Sequence, residues 1–160
     1  MDKVIEETMA IINLYPDIFP HMYKQGFKLV GRIKKGNLVL QDGVMITFTQ
    51  YSQGGKLSRN AKTIKKPKDF IIHQIASDQS QKGATKKVLD EFVEYCKSKG
   101  AGNILLTVRA FNDRARKFYE RYGFKYDSDI QWNSKETGVI EGVIYRLQLE
   151  EIKSDKFFKF

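Results

Sequence analysis

Residues 77–87 contain the pattern in this sequence that is best suited to binding an anion. They join an apolar run to a run with helical periodicity, and Gly83 lies directly before that predicted helix. A glycine turn at a helix start directs backbone N–H groups outward, and the helix dipole adds positive charge at the same place. Lys82, Lys86 and Lys87 increase this charge. The segment therefore predicts a seat for a diphosphate, with an ordinary strand-to-helix connection as the alternative interpretation.

A second pattern, within residues 106–124, begins at the end of the next apolar run. Its characteristic positions are Asn112, Ala115, Phe118, Tyr119, Gly123 and Phe124. Asn112 is a favoured residue at a helix N-cap, and Gly123 is favoured just after a helix. The spacing resembles the signature of the GNAT N-acetyltransferase superfamily, a strand followed by N-x-x-A-x-x-(F/L)-Y-x-x-x-G-F. The resemblance is specific over residues 70–126, which are expected to form the cofactor-binding core.

The resemblance extends to the glycine turn and implies acetyl-coenzyme A (acetyl-CoA) as the cofactor. The family's Q/R-x-x-G-x-G/A loop aligns with Gly83 at its fourth position, whereas Ser80 and Thr85 depart from the family residues at the first and sixth positions. It implies that the diphosphate binds the loop amides, and that the pantetheine arm runs beside strand 70–76 where this strand splays from strand 103–109. The cofactor-binding residues implied in this way are Ile75, Ala76, Ser77, Ser80, Gln81, Lys82, Gly83, Ala84, Thr85, Asn112 and Tyr119.

The chemistry that the resemblance implies is direct attack of an amine on the thioester. A backbone N–H of residues 75–77 would stabilise the oxyanion, and Tyr119 would protonate the departing thiolate. His73 is the candidate general base, since an imidazole accepts a proton near neutral pH; a low acceptor pKa or a water chain would make a base unnecessary. Other interpretations stay open, because Tyr119 shares a helix face with Phe118 and would fit core packing. Asn112 would cap its helix without any ligand, and His73 would fit a helix-covered sheet face.

The charge of the chain favours an anionic partner and leaves the acceptor open. The formal net charge is +9, from 28 Lys and Arg against 19 Asp and Glu, and such a field attracts anions. The basic loop 52–69 precedes the cofactor strand. Its acceptor-side candidates are Lys56, Arg59, Lys62, Lys65 and Lys66, with a solvated surface loop as the alternative. Three functions stay open: an N-acetyltransferase acting on an amine, a GNAT-fold enzyme that modifies nucleic acid as certain bacteriophage relatives do, and a non-catalytic module that binds acyl-CoA or nucleic acid.

Periodicity predicts an α/β fold in a single domain of 160 residues. Helices are predicted at 3–13, 18–25, 84–99 and 113–122. Strands are predicted at 27–33, 37–40, 44–51, 70–76, 103–108 and 143–149, with Asp42-Gly43 as a hairpin turn. This order predicts a mixed central sheet with antiparallel front strands and a parallel βαβ cofactor-binding centre, which is the GNAT fold in the terms of the resemblance.

The composition disfavours several classes of protein and site. Cys96 is the single cysteine, so no disulfide forms within the chain, and packing is its expected role. His21, His73 and Cys96 lack the spacing of zinc ligands, and no metal is expected. The first residues lack the pattern of a signal peptide, and no run of about 18 apolar residues occurs, so a cytoplasmic location without membrane contact is expected. The oligomeric state stays open.

Overall fold

The computed structural model describes residues 2–15, 31, 35, 37–134 and 138–149. In these residues the helices are α1 (Asp2–Ile12), α2 (Ala84–Ser98) and α3 (Asp113–Tyr122). The strands are β1 (Leu38–Gln41), β2 (Val44–Gln50), β3 (Gly55–Lys56), β4 (Ile64–Lys65), β5 (Phe70–Ser77), β6 (Asn103–Arg109), β7 (Lys125–Ser134) and β8 (Gly138–Gln148). None of the helices in these ranges is long and apolar enough to cross a membrane.

Most of the strands join one six-stranded sheet of order β1-β2-β5-β6-β8-β7. β5 and β6 are parallel, and α2 lies in the crossover between them, as a parallel pair requires. The other neighbouring pairs, β1–β2, β2–β5, β6–β8 and β7–β8, are antiparallel. The predicted mixed sheet, with antiparallel front strands and a parallel βαβ centre, is therefore confirmed.

Different elements cover the two faces of this sheet. On one face, here called the α2 face, α2 and α3 pack on alternate strand residues such as Ile72 and Leu106. On the opposite face, here called the α1 face, α1 packs on Met45 and Ala76. A smaller cluster farther along the α1 face consists of Leu57, Ala61, Ile130, Trp132 and Ile144. Because successive residues of a strand point to opposite faces, each strand supplies side chains to both environments.

The elements of the predicted cofactor core lie close to their predicted bounds. The segments predicted at 70–76, 84–99, 103–108 and 113–122 are β5, α2, β6 and α3. α3 begins where predicted because the Asn112 side chain accepts a hydrogen bond from the Ala115 amide at 3.3 Å. It ends where predicted because Gly123 adopts φ +122°. The helix predicted at 18–25 lies outside the described residues, as does most of the strand predicted at 27–33. The described residue of that strand, Gly31, is helical and its carbonyl accepts from the Lys35 amide at 3.1 Å, so the strand prediction is wrong at this residue.

Two regions contain more strand than the sequence predicts. β7 occupies residues 125–134 and the first part of β8 occupies residues 138–142, where no strand is predicted. β7 is an edge strand with one face in solvent, so its sequence is polar and resembles a loop. The basic loop 52–69 also contains the short β3–β4 hairpin. Within it, Thr63 is buried and its hydroxyl bonds the Asp127 carboxylate at 2.5 Å and the Ser128 hydroxyl at 2.6 Å, which fastens the hairpin to β7.

Candidate functional site

The sheet opens between its two parallel strands. β5 and β6 pair over three positions, of which the last is Ile72 with Leu106. Both strands continue beyond this point, β5 along β2 to Ser77 and β6 along β8 to Arg109. The opening that follows, here called the β5–β6 cleft, is the splay predicted for the pantetheine arm. It lies between residues 73–77 on one side and the end of β6 on the other.

A β-bulge in β5 places two polar side chains at the start of this cleft. The ladder with β2 skips one residue of β5 between Ile72 and Gln74, so His73 is the additional residue. His73 Nε2 lies 2.8 Å from the Thr49 hydroxyl, and the Thr47 hydroxyl donates a hydrogen bond to Gln74 Oε1. Both threonines alternate with core residues and lie on the α1 face. The side chains of His73 and Gln74 therefore lie together on the α1 face beside the cleft.

Beyond the bulge, backbone amides of β5 point into the cleft. The Asp78 amide donates to the β1–β2 turn at 2.8 Å, and the Gln74 amide donates to a β2 hydroxyl at 3.1 Å. Residues of an antiparallel ladder alternate in the direction of their hydrogen bonds, so the amides of Ile75 and Ser77 point away from β2. The Tyr15 hydroxyl donates to the Ser77 carbonyl at 2.5 Å, which fixes the end of β5.

The start of α2 presents backbone amides that have no acceptor among the described residues. Gly83 is the N-cap residue with φ +76°, and no side chain caps the helix. The Ser80 amide is bonded to the Asp78 carboxylate, and the Ala84 amide to the Gln81 carbonyl. The amides left over are those of Gln81, Lys82, Gly83, Thr85 and Lys86. Unpaired donors at a helix N-terminus are well suited to an anion, and this group of amides is here called the anion site.

The lysines around this anion site differ in their partners. Lys86 forms an ion pair with Asp90 at 3.0 Å, and Lys87 with Asp42 at 3.1 Å. Lys82 has no ion pair with a described residue. Exposed pairs of this kind contribute little stability, so both remain able to exchange partners. Lys82 is the cation most available to a ligand at the loop.

Tyr119 is the buried residue of α3. Its ring packs edge-on against Phe118 and Phe124 and lies 6.4 Å from the Tyr145 ring. Burial raises the pKa of the phenol, so the hydroxyl keeps its proton at neutral pH. This hydroxyl has no hydrogen-bond partner among the described residues, yet no fully buried polar side-chain atom in that part of the chain lacks a partner. The hydroxyl oxygen is therefore not completely enclosed, although the residue as a whole is buried.

The predicted acceptor-side cations lie on and around the β3–β4 hairpin. Lys56, Arg59, Lys62 and Lys66 are exposed, and Lys65 is partly buried. Lys65 Nζ lies 4.8 Å from the centre of the Tyr51 ring. Through Leu57 and Ala61 the hairpin packs on β7 and β8, whereas α1 packs on β2 and β5. The hairpin and α1 thus cover the α1 face from opposite sides of the β5–β6 cleft.

Sequence reasoning missed two residues beside the cleft, Gln74 and Arg109. Gln74 carries no local signal, because its direction depends on the bulge. Arg109 could have been found by alternation, since it directly follows the core residue Val108. Of the predicted cofactor residues, Ala76 packs its side chain against α1, and Asn112 uses its side-chain oxygen to cap α3.

The family of the chain follows from a comparison of its sequence with known families. The model of a family described as the acetyltransferase (GNAT) family matches residues 10–124. The chain belongs to this GNAT family. The matched range contains the cleft, the anion site and Tyr119, so the resemblance seen in residues 70–126 is confirmed. GNAT enzymes use acetyl-CoA. None of the curated proteins matches the sequence significantly.

Several solved structures are similar to this chain at low sequence identity, and the first two described below share its fold over most of their length. A protein described as a GNAT-family acetyltransferase from Desulfovibrio desulfuricans has 13% identity over 94% of this chain and 95% of its own, with a TM-score of 0.65. A protein described as an acetyltransferase from Staphylococcus aureus MU50 has 16% identity over 91% of this chain and 92% of its own, with a TM-score of 0.61. Ard1 from Thermoplasma volcanium has 22% identity to this chain, with a TM-score of 0.48. The match covers 68% of this chain and 64% of Ard1.

Proposed function

We propose that this protein transfers the acetyl group of acetyl-CoA to an amine. Family membership supports acyl transfer in general. The observation that carries the proposal for this chain is the set of acceptor-free amides at the start of α2, which directly follows the strand bordering the cleft. A diphosphate held there would leave the rest of an extended cofactor to follow β5.

The residues at the start of α2 fit a diphosphate. Several neighbouring amides have no acceptor among the described residues, and a Cβ added to Gly83 would meet no atom within 4 Å, so an anion can approach the backbone closely. Lys82 would pair with a phosphate oxygen. The backbone groups of Ile75 and Ser77 that point away from β2 would bind the amides of the pantetheine arm. Acetyl-CoA would supply an acyl group activated as a thioester.

Three groups of the chain would act on the reaction. A backbone amide of Ile75 or Ser77 would donate to the acyl oxygen, and one such preorganised donor contributes about 3–4 kcal/mol. Tyr119 holds a proton at its Oη at neutral pH and would deliver it to the leaving sulfur. His73 lies on the α1 face, where its Nε2 is hydrogen-bonded to the Thr49 hydroxyl. Its imidazole would accept the proton of the amine.

Calorimetry with acetyl-CoA, followed by a thiol-release assay, tests the proposal. The assay uses a panel of small amines and peptides together with DNA and tRNA, because the fold alone does not select an acceptor. We expect saturable binding of acetyl-CoA and thiol release with at least one amine. Binding without release on the entire panel would favour the non-catalytic module. A dissociation constant of about 1 mM corresponds to a binding free energy of about 4 kcal/mol. If acetyl-CoA does not bind even at about this concentration, both the acetyltransferase and the acyl-CoA-binding module are refuted.

A further inference from the structure

Arg109 is the last residue of β6 and lies on the α1 face at the cleft. Val108 packs in the core of the α2 face, so alternation along β6 directs Arg109 to the opposite face. His73 and Gln74 lie on that same face on the β5 side of the cleft. β8 holds Arg109 in place through its ladder partner Gly142. The cleft therefore has polar β5 side chains on one side and a guanidinium on the other.

Arg109 differs from the other partly buried arginines of the described chain in having no partner. Arg116 donates a hydrogen bond to the Tyr145 hydroxyl at 3.1 Å, and Arg146 donates to the Asp127 carboxylate at 3.2 Å. The Arg109 guanidinium makes no hydrogen bond or ion pair with a described residue. Burial lowers its pKa, and no anion among the described residues opposes the shift. Desolvating a cation without a partner is unfavourable, and an anionic ligand would remove this penalty.

An indole ring forms an apolar wall beside Arg109. Trp132 of β7 is partly buried in the cluster on the α1 face. A Cβ added to Gly142 would overlap the Trp132 ring, so the ring lies over the ladder partner of Arg109. The place thus combines one desolvated cation with one aromatic surface. Such a combination suits a single small anion more than a polyanion, which would need a row of cations.

We propose that Arg109 recognises the acceptor by binding a carboxylate, and that the acceptor is an amine that also carries this carboxylate, as a free amino acid does. The inference rests on the proposed acyl transfer and names its substrate class. The planar guanidinium matches a carboxylate through two parallel N–H···O bonds. A carboxylate bound on the β6 side of the cleft leaves the amine end of the acceptor to face β5, where His73 and the Ile75 and Ser77 amides lie.

Binding of the expected products and of their carboxamide analogues tests the proposal without requiring turnover. The probes are matched pairs of Nα-acetyl amino acids and their α-carboxamides, from glycine, leucine and lysine, titrated in the presence of coenzyme A. Trp132 is the single tryptophan, so its fluorescence reports on this place. We expect at least one N-acetyl amino acid to bind about tenfold or more tightly than its carboxamide, as a charge-assisted pair would require.

Variants show whether this preference comes from Arg109. Arg109→Gln should bring the two affinities of the preferred pair within about twofold, and Arg109→Lys should keep part of the preference, because it keeps charge but loses the planar fork. Arg121→Gln, on the exposed surface of α3, should keep the preference of the unmodified protein. Circular dichroism checks that each variant is folded.

Equal binding of every acid and its carboxamide by the unmodified protein would overturn the proposal, and so would a preference that survives Arg109→Gln. Acetyl-CoA binding is measured in parallel by calorimetry. Normal acetyl-CoA binding without any acid preference refutes only the acceptor assignment. Absence of acetyl-CoA binding refutes the proposed function itself, and the acceptor assignment with it.

Discussion

Gly83→Ala tests the anion site through the backbone that forms it. Gly83 has φ +76°, and a Cβ there would meet no atom within 4 Å, so the substitution is opposed by conformation and not by a clash. An L-residue in the left-handed region costs about 1–2 kcal/mol. The added methyl group would also occupy the space through which a phosphate approaches the amides. We expect the affinity for acetyl-CoA to fall about tenfold or more, which corresponds to about 1.4 kcal/mol.

Gly138→Ala is the matched control because its backbone has nearly the same geometry. Gly138 has φ +74°, a Cβ there would also meet no atom within 4 Å, and it begins β8 away from the start of α2. Both variants should lose about 1–2 kcal/mol of unfolding free energy where the strain is kept in the folded protein. Only Gly83→Ala should lose affinity. Urea unfolding measures the stability, and calorimetry with acetyl-CoA measures the affinity.

Stability and acetyl-CoA affinity, measured together, show whether the loop amides hold the diphosphate. If the loop of Gly83→Ala relieves its strain by turning the amides away, stability falls less and affinity falls more, because binding must then restore the strained turn. If Gly83→Ala loses as much stability as the control but binds acetyl-CoA normally, the loop amides do not hold the diphosphate. Equal losses of affinity in both variants would show a general effect on the fold, and the reasoning would also be wrong.

Three further predictions concern the acid, an exposed carboxylate and the basic hairpin. Tyr119→Phe should lower the single-turnover rate of thiol release about a hundredfold with little change in acetyl-CoA affinity; an unchanged rate would remove the phenol from the mechanism. A hydrogen bond from Tyr122 lowers the pKa of Asp90. The ionised carboxylate therefore stabilises the fold at every pH above its unfolded pKa of about 3.9, and this stabilisation is lost as the pH falls through the lower folded pKa. Asp90→Asn should therefore flatten the acid-side decline of urea-measured stability, and an unaltered decline would contradict the assignment. If the basic hairpin is a nucleic-acid contact, which is one interpretation of its charge, Lys62→Glu with Lys66→Glu will weaken the binding of a single-stranded DNA oligonucleotide and its salt dependence while sparing acetyl-CoA; unchanged DNA binding, or no DNA binding by the unmodified protein, would rule this interpretation out.

The cofactor core could be predicted because its elements are bounded by local interactions. Asn112 caps α3 by accepting from the Ala115 amide, three residues along the chain, and Gly123 ends the helix by its own conformation. Gly83 likewise adopts the left-handed turn that its lack of a Cβ allows. In each case the local structure is determined by the residue itself and by its immediate neighbours in the sequence.

Features that depend on register or on distant partners could not be predicted in this way. His73 is a bulge residue only because of how β5 is registered on β2, and nothing in the β5 sequence marks it. β7 alternates inward-facing Ser128, Ile130 and Trp132 with exposed polar residues, but a serine at the first of these positions and polar residues between them give a weak strand signal. The lack of a partner for Arg109 among the described residues depends on where all of their charged groups lie, and the local sequence does not determine this.

The short ladder between β5 and β6 divides the sheet into two arms, β1-β2-β5 and β6-β8-β7, which are joined within the sheet at three residue pairs. A small pivot about the pair of Ile72 and Leu106 would widen or narrow the space between the arms without breaking a hydrogen bond inside either one. The groups proposed for the acyl donor, on Ile75 and Ser77, belong to one arm, and the guanidinium of Arg109 belongs to the other. A donor and an acceptor bound together would brace the arms against each other, so the ternary complex would be the stiffest state of the protein.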